Sequence, residues 1–339
     1  MNTEPRPVNI RQDPASLADR LLAGVHARQL RREIAGPMPP LGKRLAGRDA
    51  VLVVSSAGDP TARHFHETCR RLGLPSSWVT TADIAGERLS VGAFETLCAQ
   101  APGIYRRSLG DEPAHAGIRP LIRAATAANG NLVECGAASS NWSKPLHAAR
   151  MAAVLKPFGG RVPATRVTSA PPPGSLVKPM SAHPGYTLDA PAAGDVGPRL
   201  FMAQTRATGV EKRVHVVGDR CFVHAVHHTE TDYRTDAATR IERATLTPRW
   251  QDACIALARA EGLVLAGIDL FEDGDDATFI EVNPMPGYDG FERADPEDAS
   301  ITLALYQTLG GRDEIPTRSG RHQNIGRRDA HPHQAGSGR

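Results

Sequence analysis

Apolar residues recur along the chain with two spacings, one typical of helices and one typical of buried strands. The run VLVV at 51–54 predicts a buried strand, Asp59-Pro60 predicts a helix start, and SWVT at 77–80 predicts the next strand. A strand, a helix and a strand in this order form a unit whose two strands are parallel. We therefore predict a small α/β domain over residues 49–140.

Residues 1–48 precede this domain and follow a different pattern. Asp13 and Pro14 predict the start of a helix that runs to about Ile34, with apolar residues on one stripe. The segment PMPPLGKRLAGR at 37–48 predicts a linker, because proline and glycine interrupt regular structure.

Two further units are predicted after the α/β domain. Residues 141–206 hold a predicted helix around 144–157 and the strands SLVKPM and RLFMAQ. Residues 207–310 begin with a predicted hairpin that turns at Gly218. Strands and helices are mixed in both units, so the fold class is α/β followed by α+β.

The last unit ends with a helix, a second hairpin and a short helix. Thr247 and Gly262 bound the predicted first helix, AGIDLF pairs with FIEVN in the hairpin, and a short helix lies near 296–309. The tail 311–339 is rich in glycine, arginine and histidine, which predicts disorder.

Composition and charge remove several classes of function. The chain is 40% hydrophobic and 23% charged, and its net charge of +3 gives no basic field for nucleic acid. The five cysteines show no C-x-x-C spacing, and no signal peptide or membrane span is apparent. We expect a cytoplasmic protein without nucleic-acid or membrane partners, with a homo-oligomer left possible.

The stretch FIEVNPMPGYDGF at 279–291 carries the clearest chemistry. Strand side chains alternate between two faces, so Glu281 and Asn283 share a face while Val282 points to the other. Counting back from the turn EDGDD places Asp269 opposite Glu281. Oxygen ligands of this kind suit Mg²⁺, which takes the rest of its shell from water and substrate phosphates.

A polar face on a solvated hairpin is the alternative explanation of this pattern. Two features favour the metal site: the polar residues stand where the strand breaks into PMPG, and the flanking positions are strongly apolar. We also expect no basic side chain beside Asp269, Glu281 and Asn283, so that a metal ion is needed to offset their repulsion.

Lysine is scarce in this chain, because only five of its 40 basic residues are lysines. Lys178 lies inside the apolar strand SLVKPM, where a buried ammonium needs an anion such as a nucleotide phosphate. Arg213 and Arg234 are candidates for holding a transferring phosphoryl group. The alternatives are an edge-strand lysine that reaches water and ordinary surface arginines.

Two common nucleotide-binding motifs are missing from the sequence. Neither G-x-x-x-x-G-K-[ST] nor G-x-G-x-x-G occurs, so a P-loop or a Rossmann nucleotide site is not predicted.

Five segments stand in the order seen in one enzyme family. They are NWSKPLHAARMAAVLKPFGGRVPATRVTS, SLVKP, GVEKRVHVVGD, TDYRTD and GIDLFEDGDDATFIEVNPMPG. The chain resembles the ATP-grasp enzymes, most closely their RimK-like branch, over about 141–295. The segment VLVVSSAGDPTARHF resembles, more loosely, the α/β domain that precedes ATP-grasp in the peptide-maturase members.

This resemblance implies a fold in which ATP lies between two α+β subdomains, and it implies roles for individual residues. The implied phosphate contacts are Lys144 and Lys178. The implied adenine hinge is Gln204, Thr205, Arg206 and Ala207, and the implied ribose contact is Glu211. The implied metal ligands are Asp269, Glu281 and Asn283. The implied phosphate or acyl-phosphate contacts are Arg213 and Arg234.

The resemblance also implies an activity. It points to a carboxylate–amine or carboxylate–thiol ligase that uses ATP with Mg²⁺ or Mn²⁺, forms an acyl-phosphate, and releases ADP and phosphate. A small molecule or a peptide can supply the carboxylate. The alternatives are an ATP-binding module without turnover and a phosphotransferase on the same fold.

We expect that deleting residues 312–339 leaves the melting temperature almost unchanged, because the composition of this tail predicts no packed core. Thermal unfolding of the full chain and the truncated chain is the measurement. A large drop in melting temperature would show that the tail is structural.

Overall fold

The structure is a computed structural model. It describes residues 38–47, 49–135, 140–180, 188–189 by their backbone, 200–229, 231, 233, 236, 238–295 and 297–311. The predicted helix over 14–34, the loop SAHPGY, Arg234 and the tail after 311 lie outside the described residues.

Four parallel strands form the first sheet, with four helices around it. The strands are β1 (Val51–Ser55), β2 (Ser76–Thr80), β3 (Ile104–Arg106) and β4 (Leu132–Glu134), in the order β2-β1-β3-β4. The helices are α1 (Pro60–Arg71), α2 (Thr81–Ala85), α3 (Val91–Gln100) and α4 (Ile118–Ala127). The predicted β-α-β unit is confirmed.

Helix α1 begins and ends where the sequence predicts. The Asp59 carboxylate accepts a hydrogen bond from the Ala62 N–H, and Pro60 occupies the first turn. Gly73 then adopts a left-handed φ of 73°, which a residue with a side chain rarely does. Phe65 and Cys69 are fully buried, so the apolar stripe of the helix faces the sheet.

The segment predicted as a linker over 37–48 is partly integrated into this first layer. Arg44 is 1% exposed, and its Nη2 donates to both oxygens of the buried Asp83 carboxylate, at 2.8 and 2.9 Å. Its Nη1 donates to the Trp78 carbonyl at 2.6 Å. Composition alone suggested a spacer here, whereas this one arginine fixes the segment against strand β2.

A helix and a small antiparallel sheet follow. Helix α5 spans Lys144–Leu155. The strands are β5 (Thr165–Thr168), β6 (Leu176–Lys178), β7 (Leu188–Asp189) and β8 (Phe201–Gln204), in the order β5-β8-β6-β7. Strands β6 and β8 were predicted, whereas β5 and β7 lie in stretches whose residues gave no clear alternation.

The third sheet is antiparallel and has five strands. They are β9 (Val210–Val217), β10 (Arg220–His227), β11 (Arg240–Arg243), β12 (Leu265–Asp273) and β13 (Asp276–Asn283), in the order β11-β10-β9-β12-β13. Gly218 and Gly274 turn the two hairpins with positive φ values of 63° and 60°.

One face of the large sheet packs against helices. Helix α6 spans Pro248–Ala260 and packs on it beside α5, and Trp250, Ile268 and Phe279 lie in their common core. Helices α7 (Asp289–Arg293) and α8 (Ser300–Thr308) follow the last strand. The opposite face at the end of β13 is therefore left for polar side chains.

The first layer and the large sheet share one hydrophobic cluster. It contains Phe65 and Tyr105 from the first layer, Val217 from β9, and Tyr288 and Leu305 from the end of the chain. This shared core fixes the loop after β13 against the parallel sheet.

All five cysteines are free. Within the described residues, no helix combines the length and the apolar character that crossing a membrane requires.

We expect Arg44→Ala to lower the free energy of unfolding by about 3–5 kcal/mol, because the variant leaves the buried Asp83 carboxylate without its main partner. Urea unfolding is the measurement. Arg88→Ala is the control, since Arg88 pairs with the same carboxylate but is half exposed and should cost under about 1 kcal/mol. Equal losses in the two variants would contradict the assignment.

Candidate active site

The hairpin of β12 and β13 has the register that the sequence predicts. Asp269 lies directly opposite Glu281, and Gly267 lies opposite Asn283. The pairing shifts by one residue just after Asp269, which marks a β-bulge at this end of the strands. The three predicted metal ligands therefore come together on two neighbouring strands, and their role as ligands stays a prediction.

The Glu281 carboxylate is held by two side chains from the start of α5. Lys144 Nζ lies 2.5 Å from Glu281 Oε1, and Asn141 Nδ2 donates to the same oxygen at 2.8 Å. All three residues are largely shielded from solvent. Burial alone raises the pKa of Glu281, but Lys144, Lys178 and the hydrogen bonds from Lys144 and Asn141 outweigh it and lower that pKa to about 2.

Lys178 brings a second cation to Glu281 from a different sheet. Its side chain is buried on β6. Its positive charge has the second largest effect, after that of Lys144, among the causes that lower the pKa of Glu281. The Lys144 N–H donates to the Met180 carbonyl at 3.0 Å, which joins the start of α5 to the residues just after β6. The two lysines that the sequence singled out therefore both favour the charged form of Glu281, and Lys144 contacts it directly.

Asp269 is paired as closely as Glu281. Arg213 Nη1 donates to both oxygens of Asp269, at 2.7 and 2.8 Å, from the adjacent strand β9. Burial opposes the charge of Arg213, but Asp269 outweighs it and raises the pKa of the guanidinium. The expectation that the acidic groups have no basic partner is wrong, since Lys144 and Arg213 each contact one of them.

Arg213 can lie across β12 only because residue 267 is glycine. A Cβ built on Gly267 would come within 2.3 Å of Arg213 Nη2 and 2.7 Å of Pro286 Cβ. Both contacts are far shorter than a van der Waals contact, so a side chain here would displace the guanidinium.

The loop after β13 forms the floor of the site. The Asn283 side-chain oxygen accepts from the Met285 N–H at 3.0 Å, which turns the chain away from the strand. Arg107 from the first layer donates to the Pro286 carbonyl at 2.9 Å and to both oxygens of Asp59. The buried ion pair of Arg107 and Asp59 therefore fixes the position of this loop.

The predicted hinge begins at a buried glutamine. Gln204 is 1% exposed; its Nε2 donates to Thr165 Oγ1 at 3.0 Å, and its Oε1 has no hydrogen-bond partner among the described residues. Thr205 is exposed and bonds with the Ala164 backbone, while Arg206 is exposed and Ala207 half-buried. The structure does not gather these last three into a polar cluster.

Glu211 lies at the start of β9, with its carboxylate 2.6 Å from His228 Nε2. The side chains of both residues are mostly buried, at 13% and 16% exposure. The predicted contact Arg234 lies outside the described residues, so only Arg213 of the two predicted arginines has a described position.

Sequence reasoning gave no role to several residues that shape the site. Asn141 contacts Glu281, His147 accepts from the Val282 N–H at 2.9 Å, and Gly267 and Arg107 act as described above. The spacing of 141, 144 and 147 was a usable signal, because residues three apart around a helix start share a face. Arg107 acts through tertiary contacts that no local spacing reveals.

Oxygen atoms make up the donor set at the end of this hairpin. Among the described residues, no group of three His, Cys, Asp or Glu side chains is arranged to hold a metal by itself. The candidate set instead has two carboxylates and one carboxamide, which are hard oxygen donors. Such a set fits Mg²⁺ or Mn²⁺ when substrate phosphates and water complete the shell.

The end of the chain matches a known family. Residues 201–306 match the family model of the RimK-like ATP-grasp domain. This match covers about a third of the chain, so it describes that region and not the whole protein. The match includes Asp269, Glu281 and Asn283, as well as Arg213.

Curated relatives resemble part of this chain. A protein named probable alpha-L-glutamate ligase 2, from Shewanella amazonensis, is 35% identical over 92 residues, or 26% of this chain and 30% of the relative. A probable alpha-L-glutamate ligase from Trichodesmium erythraeum is 33% identical over 109 residues, or 31% of this chain and 36% of the relative. The chain thus spans about a third of the length of these relatives.

Solved structures of ATP-grasp ligases resemble most of the chain. PsnB, complexed with a minimal precursor, has a TM-score of 0.59 at 22% identity, covering 77% of this chain and 99% of PsnB. Macrocyclase MdnC from Microcystis aeruginosa MRC, bound with precursor peptide MdnA, has a TM-score of 0.53 at 15% identity, covering 77% and 99%. The predicted ATP-grasp fold is confirmed.

We expect the protein to lose stability in acid as the Glu281 carboxylate becomes protonated. Its pKa is lowered from a usual 4.5 to about 2, so its contribution to the free energy of unfolding is complete above pH 4.5 and is lost as pH falls toward 2. The loss is on the order of 3 kcal/mol in all. Urea unfolding of wild type and Glu281→Gln between pH 6 and pH 3 is the measurement, and parallel curves would contradict the assignment.

Proposed function

We propose that this protein is an ATP-dependent ligase that joins a carboxylate to an amine through an acyl-phosphate and releases ADP and phosphate. One observation carries the proposal: Lys144 of α5 contacts the Glu281 carboxylate, the positive charge of the buried Lys178 on β6 also lowers the pKa of that carboxylate, and Asp269 and Asn283 lie on the same hairpin. An array of two carboxylates, one amide and several cations suits a triphosphate with its metal.

In this proposal the metal ligands are Asp269, Glu281 and Asn283. Mg²⁺ or Mn²⁺, when bound, neutralises the charge of the phosphates. Lys144 and Lys178 favour the ionised form of Glu281, so the carboxylate carries the negative charge that a metal ligand needs. Lys144, Lys178 and Arg213 are the groups proposed to contact phosphate oxygens.

The proposed nucleotide contacts lie at the junction of the small and large sheets. The buried Gln204 Oε1 has no partner among the described residues, which supports contact with a donor such as the adenine amino group. Glu211 is proposed to contact the ribose, and Thr205, Arg206 and Ala207 to complete the hinge. Arg234 is proposed as a second phosphate contact on the strength of the sequence resemblance alone.

The protein's own part in the reaction is positioning and charge neutralisation. A carboxylate oxygen of the substrate takes the terminal phosphoryl group of ATP, and the amine then adds to the carbonyl carbon and expels phosphate. Arg213 donates to both oxygens of Asp269 and occupies room that a side chain at position 267 would fill, so these contacts position its guanidinium before the substrate binds.

We propose a peptide as the substrate that carries the carboxylate. PsnB and MdnC, which each cover 77% of this chain, are ligases solved with precursor peptides, and this supports the choice. The relatives named as glutamate ligases support a free amino acid as the competing possibility. We also propose a cytoplasmic location, which the absence of disulfides among the five cysteines supports.

The test is product formation from ATP with Mg²⁺ and pools of peptides, amino acids and small acids. We expect ADP and free phosphate in wild type, in a pool-dependent manner, and a loss of at least about 100-fold in Glu281→Ala and Lys178→Ala. Mass analysis of the products separates peptide from free amino-acid substrates.

Two variants serve as matched controls. Asp275→Ala removes an exposed carboxylate from the turn of the same hairpin, and Lys156→Ala removes an exposed lysine just after α5. Both should keep the wild-type rate. A full rate in Glu281→Ala would refute the site, a phosphorylated product without free phosphate would indicate a phosphotransferase, and AMP with pyrophosphate would refute the acyl-phosphate.

A further inference from the structure

Strand β13 is an edge strand of the large sheet. At Val282, side chains make the backbone hydrogen bonds that a further strand would otherwise make. The Val282 N–H donates to His147 Nε2 at 2.9 Å, and the Val282 carbonyl accepts from Asn141 Nδ2 at 3.1 Å. Two side chains from around the start of α5 therefore replace a neighbouring strand, one residue after Glu281.

The histidine belongs to a hydrogen-bond chain with one consistent direction. A backbone N–H can only donate, so His147 Nε2 accepts and the ring proton is on Nδ1. Nδ1 lies 2.7 Å from Ser140 Oγ, which in turn donates to Glu261 Oε1 at 2.5 Å. The Ser140 N–H also donates to Glu261 Oε2 at 2.7 Å.

The chain is buried and requires a neutral imidazole. His147 is 1% exposed. Burial lowers the pKa of this histidine, and Lys144 and Arg150 add to that effect against the opposing charges of Glu281 and Glu261. A protonated ring would lose the acceptor that the Val282 N–H needs.

We propose that His147 is a positioning residue that fixes the backbone next to Glu281 and so sets the position of that carboxylate for its metal. Ser140 and Glu261 act with it by holding the imidazole in one tautomer. This inference rests on the proposed function of Glu281 as a metal ligand. A histidine with only a packing role would affect stability without affecting metal binding.

The test compares the affinity for ADP with and without Mn²⁺, measured by calorimetry, because the ratio of the two isolates the contribution of the metal. We expect His147→Leu to reduce this ratio about tenfold, since lost support of a metal ligand commonly costs that much. His147→Gln should stay within about threefold of wild type, because its side-chain oxygen can accept from the Val282 N–H.

His66→Leu is the matched control. His66 is also a buried histidine, 2% exposed, whose Nδ1 lies 3.0 Å from a serine hydroxyl, Ser76 Oγ, but it lies in the first layer away from the hairpin. This variant should lower the melting temperature and leave the ratio at the wild-type value.

Each outcome decides one question. A wild-type ratio of one would refute the proposed metal site and this inference with it. If Mn²⁺ strengthens ADP binding to the wild type and the ratio is the same in His147→Leu, the inference alone is refuted. If His147→Leu does not fold, Ser140→Ala breaks the same chain with a smaller change, and an unchanged ratio in that folded variant would overturn the inference.

Discussion

The charge balance at Glu281 is the interaction on which the rest of the site depends. A carboxylate in a largely enclosed place stays ionised only if cations offset the cost of its burial, and Lys144 and Lys178 supply them from α5 and β6. These elements belong to different parts of the fold. One side chain therefore requires the helix, the small sheet and the large sheet to meet at the same point.

The supporting structure explains why this meeting is stable. The edge of β13 is completed by Asn141 and His147, and the loop after it is held by Arg107 through the Pro286 carbonyl. That arginine also donates to Asp59 and to the Tyr105 hydroxyl, and Tyr105 belongs to the core that the first layer shares with the large sheet. The parallel sheet supplies none of the proposed nucleotide contacts. It nevertheless helps to shape the site, because Arg107 from this layer holds the loop after β13.

The sequence predicts those parts of the protein that depend on short-range patterns. Alternation and a glycine turn give the register of Asp269 with Glu281, and an aspartate cap followed by proline gives helix α1. The fold and the RimK-like domain followed from ordered motifs. Arg44 and Arg107 could not be predicted, because each acts on residues distant in sequence, and the assumption of unpaired acidic groups failed for the same reason.

The paired state of the carboxylates has a consequence for how ligands enter the proposed ligase. Glu281 and Asp269 already have cationic partners in Lys144 and Arg213, so a divalent ion would compete with those partners for the carboxylate oxygens. The displaced ammonium and guanidinium then need anions, which the phosphates of the nucleotide provide. In the proposed ligase, metal binding and nucleotide binding would therefore be coupled. Each ligand should bind more weakly when the other is absent.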